Sequence, residues 1–178
     1  MFFIYMVILL SGKKMKNTRL IIALFIGLAL FSESHAQTFV RNFSLPGEKN
    51  LDVQLSEIQG EKLTVIDFWT SWCKPCLNAI PEIIKLHEKY DSLGVAFIGI
   101  NADGPRSVSK AMPLAKSLGI KYPILFDTSG DLTSELNITA FPTIVIINSN
   151  RKVVFIHEGF TKSDAAVIDE AISNALKN

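Results

Sequence analysis

From Leu63 to Trp69 the chain is apolar at nearly every position, and four residues later Cys73 and Cys76 flank Lys74-Pro75 in the segment Trp72-Cys73-Lys74-Pro75-Cys76. A near-continuous apolar run of this length reads as a strand buried on both faces. Asp67 is its one charged member. Beyond Pro75, Leu77, Ile80, Ile83 and Ile84 recur at helical spacing. The two thiols therefore stand where a buried strand hands over to a helix. The chain has no other cysteine. A ring closed over two residues is a poor staple, because a disulfide stabilises by restricting the unfolded chain and that effect grows with loop length. The pair points to redox chemistry.

Position separates the two sulfurs. Cys73 falls at the helix N-terminus, where unpaired N–H groups and the positive end of the macrodipole favour a thiolate, and Lys74 adds a positive charge. Cys73 is therefore read as the attacking sulfur. Cys76, one turn further in, is shielded and placed to resolve a mixed disulfide. Zinc would need a second ligand pair, which the sequence lacks. The rival from another class is a module that binds a soft metal such as Cu(I), or a peptide, without turnover. The three histidines, His35, His87 and His157, are scattered. No metal or other cofactor is expected. A peroxiredoxin is disfavoured, because no separate peroxidatic cysteine precedes the pair.

The chain's 178 residues are enough for one domain with a core. Residues 1–36 read as a leader. Lys16 and Arg19 precede the apolar or small run from Leu20 to Phe31, and Ser34-His35-Ala36 resembles a small-residue cleavage site. The run is shorter than the roughly 20 residues of a spanning helix. A second greasy stretch, Met1 to Leu10, is accounted for if translation starts at Met15, with cleavage after Ala36. An uncleaved N-terminal membrane anchor is the alternative. Removing residues 1–36 takes four of 18 basic residues and one of 17 acidic ones, leaving 14 against 16, a net charge of −2. Nucleic-acid binding has little support in that balance. Export would place the dithiol in a compartment where disulfides persist, periplasmic or otherwise extracytoplasmic.

In the remainder, 37–178, the region Phe39 to Leu55 reads as extended, with a turn at Pro46-Gly47 and Leu51, Val53 and Leu55 alternating as in a strand. The pattern then predicts a helix over 74–90, a strand over 95–101, a helix over about 105–118 and a short strand over 123–126. A short helix falls within 127–136. A hairpin over 143–148 and 152–157, closed by Ser149-Asn150, precedes a terminal helix over about 163–176. Strands alternating with helices and ending in a hairpin and a helix describe an α/β sandwich with a mixed central sheet. Asp67, a carboxylate on a buried strand, is expected to have a raised pKa, which suits proton exchange with Cys76. An ion pair with Lys62 is the structural alternative.

Taken together, these motifs resemble the thioredoxin superfamily, specifically its exported TlpA/ResA-type thiol-disulfide oxidoreductases with a redoxin-like domain. The resemblance rests on Asp67 through Cys76, Ile80-Pro81-Glu82, the inserted unit from Asn101 to Phe126, and Phe141-Pro142-Thr143, and it spans about 39–178. It implies a thioredoxin-like three-layer sandwich with an inserted βα unit. It also implies a cis proline at Pro142 beside the dithiol, an acid at Asp67, and an apolar collar of Trp72, Pro75, Phe141 and Phe160, with Gly159 leaving room for a substrate backbone. The implied partners are exported protein thiols and disulfides, with a membrane thiol donor recharging a monomeric reductant that serves cytochrome maturation or similar work.

Overall fold

The computed structural model describes residues 38–177. The leader, the Met15 start and the Ala36 cleavage site lie outside the described residues, as does His35. The first described elements are a small antiparallel hairpin, β1 (Ser44–Pro46) and β2 (Asp52–Gln54), and a short helix α1 (Leu55–Ile58). Here the expectation fails at Leu55. Instead of continuing the strand it opens α1, because the Gln54 N–H donates to the Glu57 side chain at 2.9 Å in a reciprocal capping box. The leucine is fully buried from that helix.

The apolar run is β3 (Leu63–Trp69), buried along its whole length. It leads to α2 (Lys74–Tyr90), which continues through Pro81. Next come β4 (Val95–Asn101), α3 (Val108–Ser117), β5 (Ile124–Phe126) and α4 (Asp131–Glu135). The hairpin β6 (Thr143–Asn148) and β7 (Val153–Glu158) and the helix α5 (Asp164–Ala175) complete the order. The five-stranded sheet runs β5-β4-β3-β6-β7, with β3, β4 and β5 parallel and β6 and β7 antiparallel to their neighbours. The mixed sheet between helical layers is the α/β sandwich expected from the sequence.

The continuous hydrophobicity of β3 follows from its place at the centre. One face, with Leu63, Val65 and Trp69, packs with Ile80 and Ile83 of α2, Ala111 and Ala115 of α3 and Ile168 and Ile172 of α5. The opposite face, with Ile66 and Phe68, packs with Phe43, Leu55 and Leu132. The β3 alternation puts Asp67 on the first face, beneath the helix that carries the cysteines. Among the described residues no helix is long and apolar enough to cross a membrane.

Candidate active site

The turn from β3 into α2 sets the dithiol. The Cys73 N–H donates to the Thr70 carbonyl at 3.3 Å, and Cys73 is the N-cap of α2, with Pro75 in the first turn. Proline is favoured there because its missing N–H would be unpaired in any case. Cys73 and Cys76 form a disulfide with Cα atoms 5.3 Å apart. The sulfurs differ in access: Cys73 is 6% exposed and Cys76 0%. The Cys76 N–H donates to Cys73 Sγ at 3.1 Å. In the reduced protein a donor so placed favours a thiolate on Cys73.

Asp67 is 2% exposed, and neither carboxylate oxygen has a hydrogen-bond partner among the described residues. Burial alone pushes its pKa up to about 7. The alternative of an ion pair with Lys62 is not seen: among the described residues no hydrogen bond reaches either oxygen. In the sheet Asp67 stands opposite Gly99 on β4 and Ile144 on β6. Two further buried polar atoms, the indole Nε1 of Trp69 and the hydroxyl of Tyr122, also have no hydrogen-bond partner among the described residues.

Across the rim, the Phe141-Pro142 peptide bond is cis. The Phe141 carbonyl oxygen lies 3.4 Å from Cys73 Sγ, a contact in which the disulfide sulfur has no proton to donate. The Phe141 ring meets Trp72 edge to face, with centroids 6.4 Å apart. Trp72 is 68% exposed, whereas Trp69 is core. Pro75 is exposed and Pro142 buried. The Gly159 N–H donates to the Pro142 carbonyl at 2.8 Å, and its φ of 78° lies in the left-handed region that favours glycine. Phe160 packs against the core cluster that contains both cysteines. Thus Trp72, Phe141, Pro142 and Gly159 are joined to one another and to Cys73 by these contacts, whereas Phe160 is placed only against the wider core.

Other residues here were not anticipated. Asp103, fully buried, accepts the Ser71 N–H at 3.0 Å and so ties the end of β4 to the turn before Cys73. Its own N–H donates to Asn101 Oδ1 at 3.2 Å. The link spans 32 positions, and only a buried acid just past a strand end would have signalled it. The His87 ring packs on Phe97 and Tyr122, with centroids 5.4 and 5.5 Å away, and its buried Nδ1 has no hydrogen-bond partner among the described residues. His157 lies 3.4 Å from an Asp164 carboxylate oxygen.

A family model described as Redoxin matches residues 34–172. The chain is 32% identical over 125 residues to the thiol-disulfide oxidoreductase ResA of Geobacillus kaustophilus (strain HTA426), covering 69% of this chain and 70% of the relative. It is 26% identical over 147 residues to ResA of Halalkalibacterium halodurans, covering 74% and 82%. Among solved structures, a Chlorobium tepidum protein provisionally assigned as the thiol:disulfide interchange protein DsbE matches with a TM-score of 0.71. That match has 28% identity and covers 79% of this chain and 96% of the other.

Proposed function

We propose that this chain, which belongs to the redoxin family and is a thiol-disulfide oxidoreductase of the ResA type, works outside the cytoplasm as a reductant of disulfides in exported proteins. The observation that carries the reading is the asymmetry of the dithiol. Cys73 caps a helix at the rim and receives an N–H at its sulfur, while Cys76 is sealed beneath it. Reduced Cys73 attacks one sulfur of a substrate disulfide, and the other leaves as a thiolate. Asp67 takes the proton of Cys76, whose sulfur then attacks Cys73 Sγ. The substrate departs with two thiols, and the protein keeps the Cys73–Cys76 disulfide.

In this reading the substrate chain lies against Trp72, Pro75, Phe141, Pro142, Gly159 and Phe160. Trp72 and Phe141 supply an exposed apolar surface next to the sulfur that reacts. The leader pattern supports export, and a thiol donor at the membrane would return the disulfide to the dithiol. Cytochrome maturation is the class of work that the resemblance favours.

The test is dithiothreitol-driven reduction of insulin together with the equilibrium potential. Cys73→Ser is expected to abolish turnover and Cys76→Ser to accumulate mixed disulfides. A potential near the thioredoxin value of about −270 mV fits a reductant, and one near about −120 mV overturns that direction. Full activity in Cys73→Ser would overturn the mechanism.

A further inference from the structure

The mechanism uses Asp67 but leaves unexplained the polar groups enclosed with it. Tyr122 is buried, and its hydroxyl has no hydrogen-bond partner among the described residues. An unpaired buried hydroxyl is unfavourable, and phenylalanine would fill the same space without it. The tyrosine belongs to the same core cluster as Trp69, Cys73 and Cys76. Gly99 fixes the geometry. It stands opposite Asp67 across the β3–β4 pairing, and a Cβ built on it would lie 3.2 Å from Trp69 Nε1 and 3.4 Å from Tyr122 Cε2. The same Cβ would lie 2.6 Å from Ile124 Cδ1, so no larger residue fits there without a shift. The Trp69 indole N–H and the Tyr122 ring thus border Gly99, the β4 position opposite Asp67, on the face of the sheet that carries the two carboxylate oxygens. Together they offer acceptors and donors enough for a buried water, which usually makes about three hydrogen bonds.

We propose that Tyr122 is a positioning residue for Asp67: its hydroxyl, through a water enclosed with the carboxylate and the Trp69 indole, donates toward Asp67 and holds the carboxylate in its ionised, base-competent form. Burial and the nearby Asp67 charge both keep the phenol neutral, so it remains a donor across the working pH range. The groups that face the pair are few. Asp67 stands opposite Gly99 on β4 and Ile144 on β6, the Phe97 ring of β4 packs on Tyr122, and Ala111 and Ala115 of α3 belong to the same core cluster as the tyrosine. From α2 come the two cysteines and, against the Tyr122 ring, His87. Lys121 and Glu88, whose charged atoms are 3.7 Å apart, are exposed to solvent.

The inference rests on Asp67 being the base only in its second readout. The first readout is the titration of the Asp67 side-chain carboxyl carbon in the oxidised protein, followed by 13C NMR and assigned with Asp67→Asn. Tyr122→Phe, which removes one oxygen and no packing, is expected to move that midpoint upward by about one pH unit, a tenfold weaker acid. A midpoint unmoved within about 0.3 unit, or moved downward, overturns the proposal. The second readout is the pH profile of mixed-disulfide resolution. It is expected to shift with the carboxyl, about fivefold slower at pH 7 and back at the parent rate well above the new midpoint. If the carboxyl shifts and the rate profile does not, the coupling of Tyr122 to Asp67 stands and the assignment of Asp67 as base falls.

Discussion

Asp67→Asn tests the buried carboxylate through stability, where substrate chemistry does not enter. Burial raises the folded-state value from 3.8 to about 7. Because the folded value lies above the unfolded one, the native protein holds an extra proton between those limits. Stability therefore falls as pH rises through that window, and the loss is complete above it. About three units at 1.36 kcal/mol each give about 4 kcal/mol, a ceiling because a buried charge draws in water and relaxes its surroundings. Asparagine is neutral throughout, so it matches the protonated acid at pH 4 and escapes the loss at pH 8. Urea unfolding of both proteins, with the disulfide intact so that no thiol titrates, is measured from pH 4 to 9. The stability difference is expected to start near zero, grow in favour of Asn through the window and level off above about pH 8. A difference that stays flat with pH, or an Asn variant weaker at every pH, would refute the picture of a buried acid with no charged partner and point to a cation that pairs with it.

Trp72→Ala removes an exposed side chain whose edge contact with Phe141 is worth about 0.5–1.5 kcal/mol. Its melting temperature is expected to change little, while KM for insulin rises and the rate with a small disulfide stays the same; equal losses on both substrates would remove Trp72 from the substrate platform. Asp103→Ala deletes the acceptor of the Ser71 N–H and is expected to cost about 1–3 kcal/mol in urea unfolding, with slower exchange, whereas Asp103→Asn retains much of both.

The long elements were legible because their apolar patterns were long. The observed bounds of β3, α2 and β4 coincide with those read from periodicity. Where local chemistry decides, the reading slipped. The capping box at Gln54 uses glutamine where serine or threonine would signal a helix start, so Leu55, the first residue of α1, reads as the end of a strand. Pro105 looked like a first helical residue, yet residues 105–107 form a turn closed by the Ser107 N–H on the Gly104 carbonyl at 2.9 Å, and α3 begins at Val108. The β6–β7 connection is longer than Ser149-Asn150 alone, with Arg151 in the left-handed region at a φ of 61°. Cys73, Cys76 and Asp67 were legible because one strand and one helix carry all three. Asp103 and Tyr122 reach the site from distant segments through the sheet register, and nothing in their own neighbourhoods marks them.

The two thiols are set apart by opposite surroundings. At Cys73 a backbone N–H points at the sulfur from the first turn of α2, which favours the anion. At Cys76 complete burial opposes the anion, and an ionised Asp67 on the same side of β3 opposes it further. In the proposed cycle Cys76 therefore stays protonated while Cys73 attacks. It loses its proton only when Asp67 accepts it, as the mixed disulfide supplies an electrophilic sulfur. In that proposed cycle the carboxylate that weakens the fold above neutrality also restrains the second sulfur before taking its proton. The strand can hold such a group because Ile66, Phe68 and Trp69 beside it are fully buried, at about 1.5–3 kcal/mol each for an aliphatic or phenylalanine side chain. That burial is of the same order as the charge's cost.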